Sequence, residues 1–327
     1  MRKVWVLIVL FFFGLFFLFL TNFQKQDRGF ISPLGKKEPG LLEKYTFENL
    51  RKREFLGGEI RLERVLSKEG KYTAYLFFFE SDGRKISGQA NLPKGSGPFP
   101  VVVMLRGYVD NKIYSTGMGT KKPAGFFAEN GFLTLAPDFL GFGESDDTYS
   151  DILEDRFARP VTVLELLASI KTLKQADSSK VVIWGHSNGG QIALSVLEIS
   201  QKSIPTTLWA PVTKGFPESV LTYMSQLDDL GVKVKQRIDD FVKDYDPKKF
   251  SIDNYFQDIK APLQIHQGTG DEYIEVGWTN DFVNKLKSLA KDVTYYTYKG
   301  DDHNLRINWD TVVARDLEFF QKNLTKK

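Results

Sequence analysis

The chain has 327 residues, 42% hydrophobic and 26% charged, which suits one large packed domain and speaks against a disordered chain. Lys and Arg number 44 against 41 Asp and Glu, and a net charge of +3 spread along the chain does not describe a dedicated nucleic-acid binder. Cysteine is absent, which excludes disulfides, a thiol nucleophile, Cys-ligated zinc or iron–sulfur centres and a lipidated N-terminal cysteine. An imidazole base has to come from His186, His266 or His303.

The mean hydropathy of −0.26 hides one very apolar segment. Residues 4–20 carry no charge, and six of the 27 Phe lie between Phe11 and Phe19. As a helix this run spans roughly 25 Å, close to the thickness of a hydrocarbon core. Arg2 and Lys3 precede it, and Thr21-Asn22-Phe23-Gln24 after it offers no small-x-small cleavage site. The expectation is an uncleaved signal anchor over residues 1–21, with a removed signal peptide as the alternative. The rest of the chain is expected outside the membrane as a single-pass protein, although Lys25, Arg28, Lys36 and Lys37 make the charge rule two-sided. Residues 22–58, with Gly29, Pro33, Gly35, Pro39 and Gly40 among charges, read as a linker. Residues 59–327 are then the catalytic domain.

Residues 62–66, 72–80 and 85–91 read as strands, and Ser81-Asp82-Gly83 marks a hairpin turn between the last two. From residue 101 short apolar runs alternate with helical patterns. Strands are predicted at 101–105, 132–136, 181–184, 206–209, 263–266 and 293–298. Helices are predicted at 122–129, 157–173, 191–199, 275–289 and 309–323. This rhythm predicts an α/β fold with a mostly parallel sheet, helices on both faces and an antiparallel N-terminal edge. Residues 212–260 interrupt it with a polar, helical insertion, read as a lid over the carboxyl edge of the sheet. Acidic clusters such as Asp151, Glu154 and Asp155, or Asp228 and Asp229, read as solvated faces.

Gly185-His186-Ser187-Asn188-Gly189 stands between the strand at 181–184 and a helix. A sharp strand-to-helix turn exposes the Ser187 hydroxyl, the flanking glycines let strand and helix approach, and the helix N-terminus faces developing negative charge. Ser187 is therefore the candidate nucleophile. Its base is expected to be His303, in the polar loop 299–304 after the last strand. His186 adjoins the nucleophile with its side chain directed away, and His266 reads as a pocket or packing residue. For the orienting acid, Asp271 follows the strand at 263–266 in a glycine-rich loop, with Glu272 and Asp301 as alternatives. An oxyanion hole needs two backbone N–H groups. Asn188 is expected to supply one and Tyr108, after Arg106-Gly107, the other, with Tyr108 as a plain pocket wall the alternative. Tyr108, Trp209 and Phe139 are expected to bind substrate, with Phe216 and Tyr223 as further aromatic lining.

With these parts in place the chain resembles the α/β-hydrolase superfamily, and within it the catalytic domain of prolyl-oligopeptidase-type (S9) serine peptidases. The likeness covers about residues 60–325. It rests on the order Ser187, Asp271, His303 and on the second glycine of Gly189-Gly190. It also rests on His266-Gln267-Gly268-Thr269-Gly270-Asp271-Glu272, on the loop Ala136 to Ser145, and on Pro98-Phe99-Pro100-Val101-Val102-Val103. Two departures stand out. The family usually has His-Gly where this chain has Arg106-Gly107, and Arg106 is expected to pair with a nearby acid rather than anchor a substrate carboxylate. The segment 45–95 is too short for the β-propeller many such peptidases carry. The resemblance implies a cofactor-free, metal-free serine hydrolase forming an acyl-serine intermediate. A peptidase for short peptides is expected, a carboxylesterase or lipase-like acyl hydrolase is the alternative, and a non-catalytic scaffold is more remote.

Overall fold

The computed structural model describes residues 40–224 and 228–325. The expected anchor at 4–20 lies outside the described residues, and among them no helix is long and apolar enough to cross a membrane.

One nine-stranded sheet organises the domain. The first three strands, β1 (Arg61–Lys68), β2 (Tyr72–Ser81) and β3 (Arg84–Pro93), pair antiparallel, and β3 runs antiparallel to β5 (Leu133–Pro137). From β5 onward the order is β4 (Phe99–Leu105), β6 (Ala176–His186), β7 (Thr206–Trp209), β8 (Leu263–Gly268) and β9 (Val293–Tyr298), all parallel. The β2–β3 turn has positive φ at both Asp82 (51°) and Gly83 (70°), the two-residue turn whose twist matches a hairpin.

Strand periodicity splits the core into two layers. Val101, Val103 and Leu105 of β4 join one cluster with β5 Leu133 and Leu135 and β8 Ile265; Val102 and Met104 join the other. Helices α3 (Ile152–Ser169), α4 (Asn188–Ser200) and α7 (Val276–Ser288) cover the first face. Helices α2 (Lys121–Glu129) and α8 (Trp309–Thr325) cover the second. Strands β4 and β5 are buried on both faces and read as nearly unbroken apolar runs, whereas the edge strand β9 alternates with polar residues and is only partly buried.

The linker boundary at residue 58 is displaced. Residues from Leu42 onward fold onto the domain: Leu42, Tyr45, Phe47 and Leu50 are buried, and Phe47–Lys52 form α1. The Tyr45 hydroxyl donates to Glu154 at 3.1 Å, Arg51 pairs with Asp258 at 2.7 Å, and Arg53 pairs with Glu165 at 2.7 Å. Four apolar residues in a charged stretch carry no readable period, yet each fills the core. The acidic group at 151–155 is also less solvated than its composition suggests, since Glu154 is buried and Asp151 pairs with Arg237 at 2.6 Å.

The insertion contains α5 (Glu218–Met224), α6 (Asp228–Asp244) and three short 3-10 turns, Pro247–Phe250, Ile252–Asn254 and Phe256–Asp258. It leaves the carboxyl end of β7 and packs against α3 as a cap. Val234, Ile238 and Phe241 of α6 are buried, and Phe241 meets Phe157 of α3, Phe216 and Phe250 at ring distances of 5.8, 5.3 and 5.1 Å.

Candidate active site

Ser187 caps α4 with φ 54° and ψ −119°, a backbone conformation that costs a non-glycine residue energy and persists only where its surroundings hold it. They hold it firmly. The Ser187 N–H donates to Trp209 O at 2.9 Å, and its carbonyl accepts from Val212 N and Gly190 N, both at 3.0 Å. Glycine is obligatory beside it: a Cβ on Gly189 would lie 2.0 Å from Leu105 O. The loop after β4 comes equally close, because a Cβ on Gly107 would stand 3.0 Å from Ser187 Cβ. Among the described residues the Ser187 hydroxyl has no hydrogen-bond partner, and the backbone N–H groups of Asn188 and Tyr108 donate to no protein group.

Asp271 and His303 meet at the ends of β8 and β9. The two loops pack backbone against backbone. A Cβ on Gly268 would sit 2.3 Å from Asp301 O, and Gly270 N donates to Asp301 O at 2.9 Å. His303 Nδ1 lies 3.0 and 2.9 Å from the two Asp271 oxygens. The carboxylate can only accept, so Nδ1 carries the proton and Nε2 keeps its lone pair. Asp271 also accepts from Tyr273 N (2.8 Å), Ile274 N (2.9 Å) and Gln267 Nε2 (2.9 Å). Burial raises the pKa of this carboxyl, but the bonds from His303 and the two amides outweigh it and hold the group below the ordinary aspartate value.

The alternative acids have other positions. Asp301 is fully buried and accepts from Asp302 N, Ile307 N, Asn308 N and Asn308 Nδ2 at 2.9–3.0 Å, which shapes the loop carrying His303. Glu272 is exposed. His266 belongs to a second, fully buried histidine–aspartate pair. Its Nε2 is 2.9 Å from Asp316 and its Nδ1 2.8 Å from the Tyr298 hydroxyl.

Trp209 and Phe139 do not line an open site. Trp209 is 3% exposed and donates through Nε1 to Asp316 at 2.6 Å, on the face covered by α8. Phe139 is 4% exposed, in the opposite core layer. Trp209 ends β7, where the pleat turns its ring inward, and Phe139 lies two residues past β5 with φ 70°, where the backbone no longer follows the pleat. Tyr108 is 69% exposed. Arg106 is buried beneath it and does not form the expected ion pair. Its guanidinium donates to the carbonyl oxygens of Gly107 (3.0 Å) and Asp138 (3.1 Å) and stacks on Tyr114 and Phe142 at 4.5 and 4.2 Å. The Asp138 carboxylate is taken by Tyr114, Ser87 and Thr116.

Two residues escaped the sequence reading. Gln267, fully buried, ties Asp271 to Thr279, Gly268 O and Ile274 O. Its signal was its place four residues before Asp271 at the end of an apolar strand. Tyr273 stacks edge-on against His303 at 5.1 Å and is half exposed.

A pocket lies between α4, α3, the cap and the N-terminal residues Tyr45, Phe47 and Leu50. Arg156, Arg159, Asn188, Gln191, Phe216 and Phe250 are among its walls.

A mostly parallel sheet with antiparallel leading strands, helices on both faces and a serine on a strained strand-to-helix turn define an α/β-hydrolase. The prolyl oligopeptidase family matches residues 120–327, and the chain belongs to that family. It is similar to the "Uncharacterized peptidase YtmA" of Bacillus subtilis (strain 168), 25% identical over 256 residues that cover 76% of this chain and 93% of the relative. Among solved structures it is similar to acetyl xylan esterase 1 from Thermoanaerobacterium sp. JW/SL YS485, with a TM-score of 0.61, 15% identity and coverage of 88% of this chain and 95% of the other. It is also similar to the acylaminoacyl peptidase of Pyrococcus horikoshii, with a TM-score of 0.57 and 18% identity over 79% of this chain and 42% of that one.

Proposed function

We propose that this hydrolase is a serine peptidase for short peptides, with Ser187 as nucleophile, His303 as base and Asp271 as the acid that orients it. The observation that carries the serine mechanism is the Asp271–His303 pair, whose proton on Nδ1 leaves Nε2 bare at the same sheet edge as Ser187. His303 Nε2 takes the Ser187 proton as Oγ bonds to the substrate carbonyl carbon. Asp271 stabilises the imidazolium, which returns the proton to the leaving amine as the acyl-serine forms. Water then attacks with His303 again as base, releasing the acid and restoring the hydroxyl. The unpartnered N–H groups of Asn188 and Tyr108 suit the oxyanion, and Gly107 lets their loop approach Ser187. The open hydroxyl fits a substrate-free site, where catalytic hydrogen bonds are loose.

The peptidase reading is favoured by membership of the prolyl oligopeptidase family and by a relative named as a peptidase over nearly its whole length. Residues 61–93 form sheet strands rather than a propeller, in keeping with small substrates. An acyl-ester hydrolase is the second reading, favoured by 28% identity over 152 residues to "Esterase EstD" of Thermotoga maritima, a match covering 45% of this chain and 35% of that protein. Fluorophosphonate labelling abolished by Ser187→Ala tests the nucleophile. Turnover of aminoacyl-amide against acyl-ester substrates tests the class, and ester turnover without amide cleavage would overturn the peptidase reading. Residues 4–20 are proposed as a membrane tether with the domain outside, which protection of that domain from external protease would refute.

A further inference from the structure

The pocket under the cap contains an unusual charge arrangement. Arg156 lies on α3 and reaches across to α4 and the cap, donating through Nη2 to Gln191 Oε1 and to Ser219 Oγ at 3.0 Å. Both partners are neutral. Among the described residues no carboxylate pairs with Arg156, although its neighbour Arg159 is paired with Asp155 at 2.8 Å. Burial, and then Arg159, pull the Arg156 guanidinium down to about 10, which leaves it charged at neutral pH. Arg159 contributes a second guanidinium whose Nε is buried without a partner. Phe157, Phe216 and Phe250 form the apolar wall opposite. The Asp155 carboxylate opposes the effects of burial and of Arg159 from a distance but is held by Arg159, so Arg156 is a cation without a carboxylate of its own in a partly desolvated pocket, which an anion would complete.

The position of the pocket assigns that anion a place. Asn188, Gln191 and Ile192 line it, and they form the first turn of α4, which begins directly after Ser187. The pocket wall therefore begins one residue after Ser187, about 3.8 Å along the chain. We propose that the pocket is an acyl-side subsite that selects substrates carrying a carboxylate a few bonds from the scissile carbonyl, with Arg156 as the recognising residue. Arginine is suited to this through its paired, planar N–H donors. The apolar wall accommodates the methylene spacer. The assignment rests on Ser187 being the nucleophile proposed above.

The test compares p-nitrophenyl glutarate, whose acyl chain ends in a carboxylate, with its isosteric terminal amide, p-nitrophenyl glutaramate. The wild type is expected to prefer the acid at least ~10-fold in kcat/KM, the scale of one charge-assisted bidentate contact. That ratio should fall to about one or two in Arg156→Gln. A wild-type ratio near one, or a preference that R156Q retains, overturns the subsite. Should R156Q not fold, the wild-type ratio decides alone. Calorimetric binding of free glutarate to Ser187→Ala separates the two readings. Glutarate bound by S187A and lost in S187A/R156Q, with neither ester turned over, removes the nucleophile assignment and keeps the anion site. Turnover with equal rates and no glutarate binding does the reverse.

Discussion

His186 donates through Nε2 to the backbone carbonyl of His303 at 3.0 Å, and the two rings lie 4.7 Å apart. The carbonyl can only accept, so Nε2 holds the proton. The residue beside the candidate nucleophile thereby fixes the main chain that carries the candidate base, a link between β6 and the loop after β9 made through one imidazole.

That imidazole titrates unusually. Burial, followed by repulsion from His303, lowers its pKa to about 4 from the ordinary 6.5. The unfolded chain then binds a proton that the folded chain refuses between these values, so stability falls as pH drops from 6.5 toward 4. Urea denaturation at pH 7 and pH 4.5 should show the wild type losing on the order of 2–3 kcal/mol that His186→Gln does not lose. Equal losses in both proteins would remove His186 as the cause.

Glu198 gives the opposite slope. It is fully buried on α4, both carboxylate oxygens lack partners, and burial raises its pKa well above the ordinary glutamate value. The folded state keeps a proton that the unfolded state releases, so this group is harmless below the unfolded pKa and costs stability as pH rises through the folded one. Glu198→Gln should therefore match the wild type near pH 4 and exceed it at pH 8, by on the order of 1–3 kcal/mol. Identical urea midpoints at pH 8 would refute this.

The two histidine–aspartate pairs should separate cleanly. Asp271→Asn leaves the loop but favours the wrong His303 tautomer, and kcat should drop roughly 10³- to 10⁴-fold with little change in melting temperature. Asp316→Asn disturbs a fully buried acceptor of Trp209, Gln264 and His266, so it should cost about 2–4 kcal/mol of stability while kcat of the folded protein stays within a few-fold. A large kcat loss in folded D316N would show that the second pair serves catalysis.

Gly107→Ala places a methyl 3.0 Å from Ser187 Cβ and 3.3 Å from His186 Nδ1. It should displace the Tyr108 N–H and lower kcat about 10²-fold, the value of one oxyanion donor, with stability changed by under about 2 kcal/mol. Unchanged kcat in the alanine variant would rule Tyr108 out as a donor.

The parallel sheet was legible because strands buried on both faces write themselves as uninterrupted apolar runs, as 101–105 and 181–184 do. The turns that carry Ser187, Asp271 and His303 were legible because glycines mark them. What stayed hidden depended on direction rather than composition. The inward turn of Trp209 follows from the pleat at the end of β7, where one residue of shift exchanges the faces, and that of Phe139 from a positive φ that its residue type does not announce. The docking of residues 42–52 rests on four isolated apolar contacts with no period. Arg106 was read as an ion-pair partner, yet carbonyl oxygens and aromatic faces satisfy it, and nothing in the residue types around Arg106 distinguishes those outcomes.

The backbone of Ser187 is tied on both sides to the segment leaving β7, its N–H to Trp209 O and its carbonyl to Val212 N. The hydroxyl therefore travels with the β6–β7 joint as a fitted insert. Next along the sheet, Trp209 pairs in register with His266 of β8, the strand that leads to Asp271. On the proposed reading, substrates meet a nucleophile whose main chain is held from both sides. On the same reading, the exposed Tyr108 and Tyr273 are where a change of side chain would retune selectivity without moving the hydroxyl.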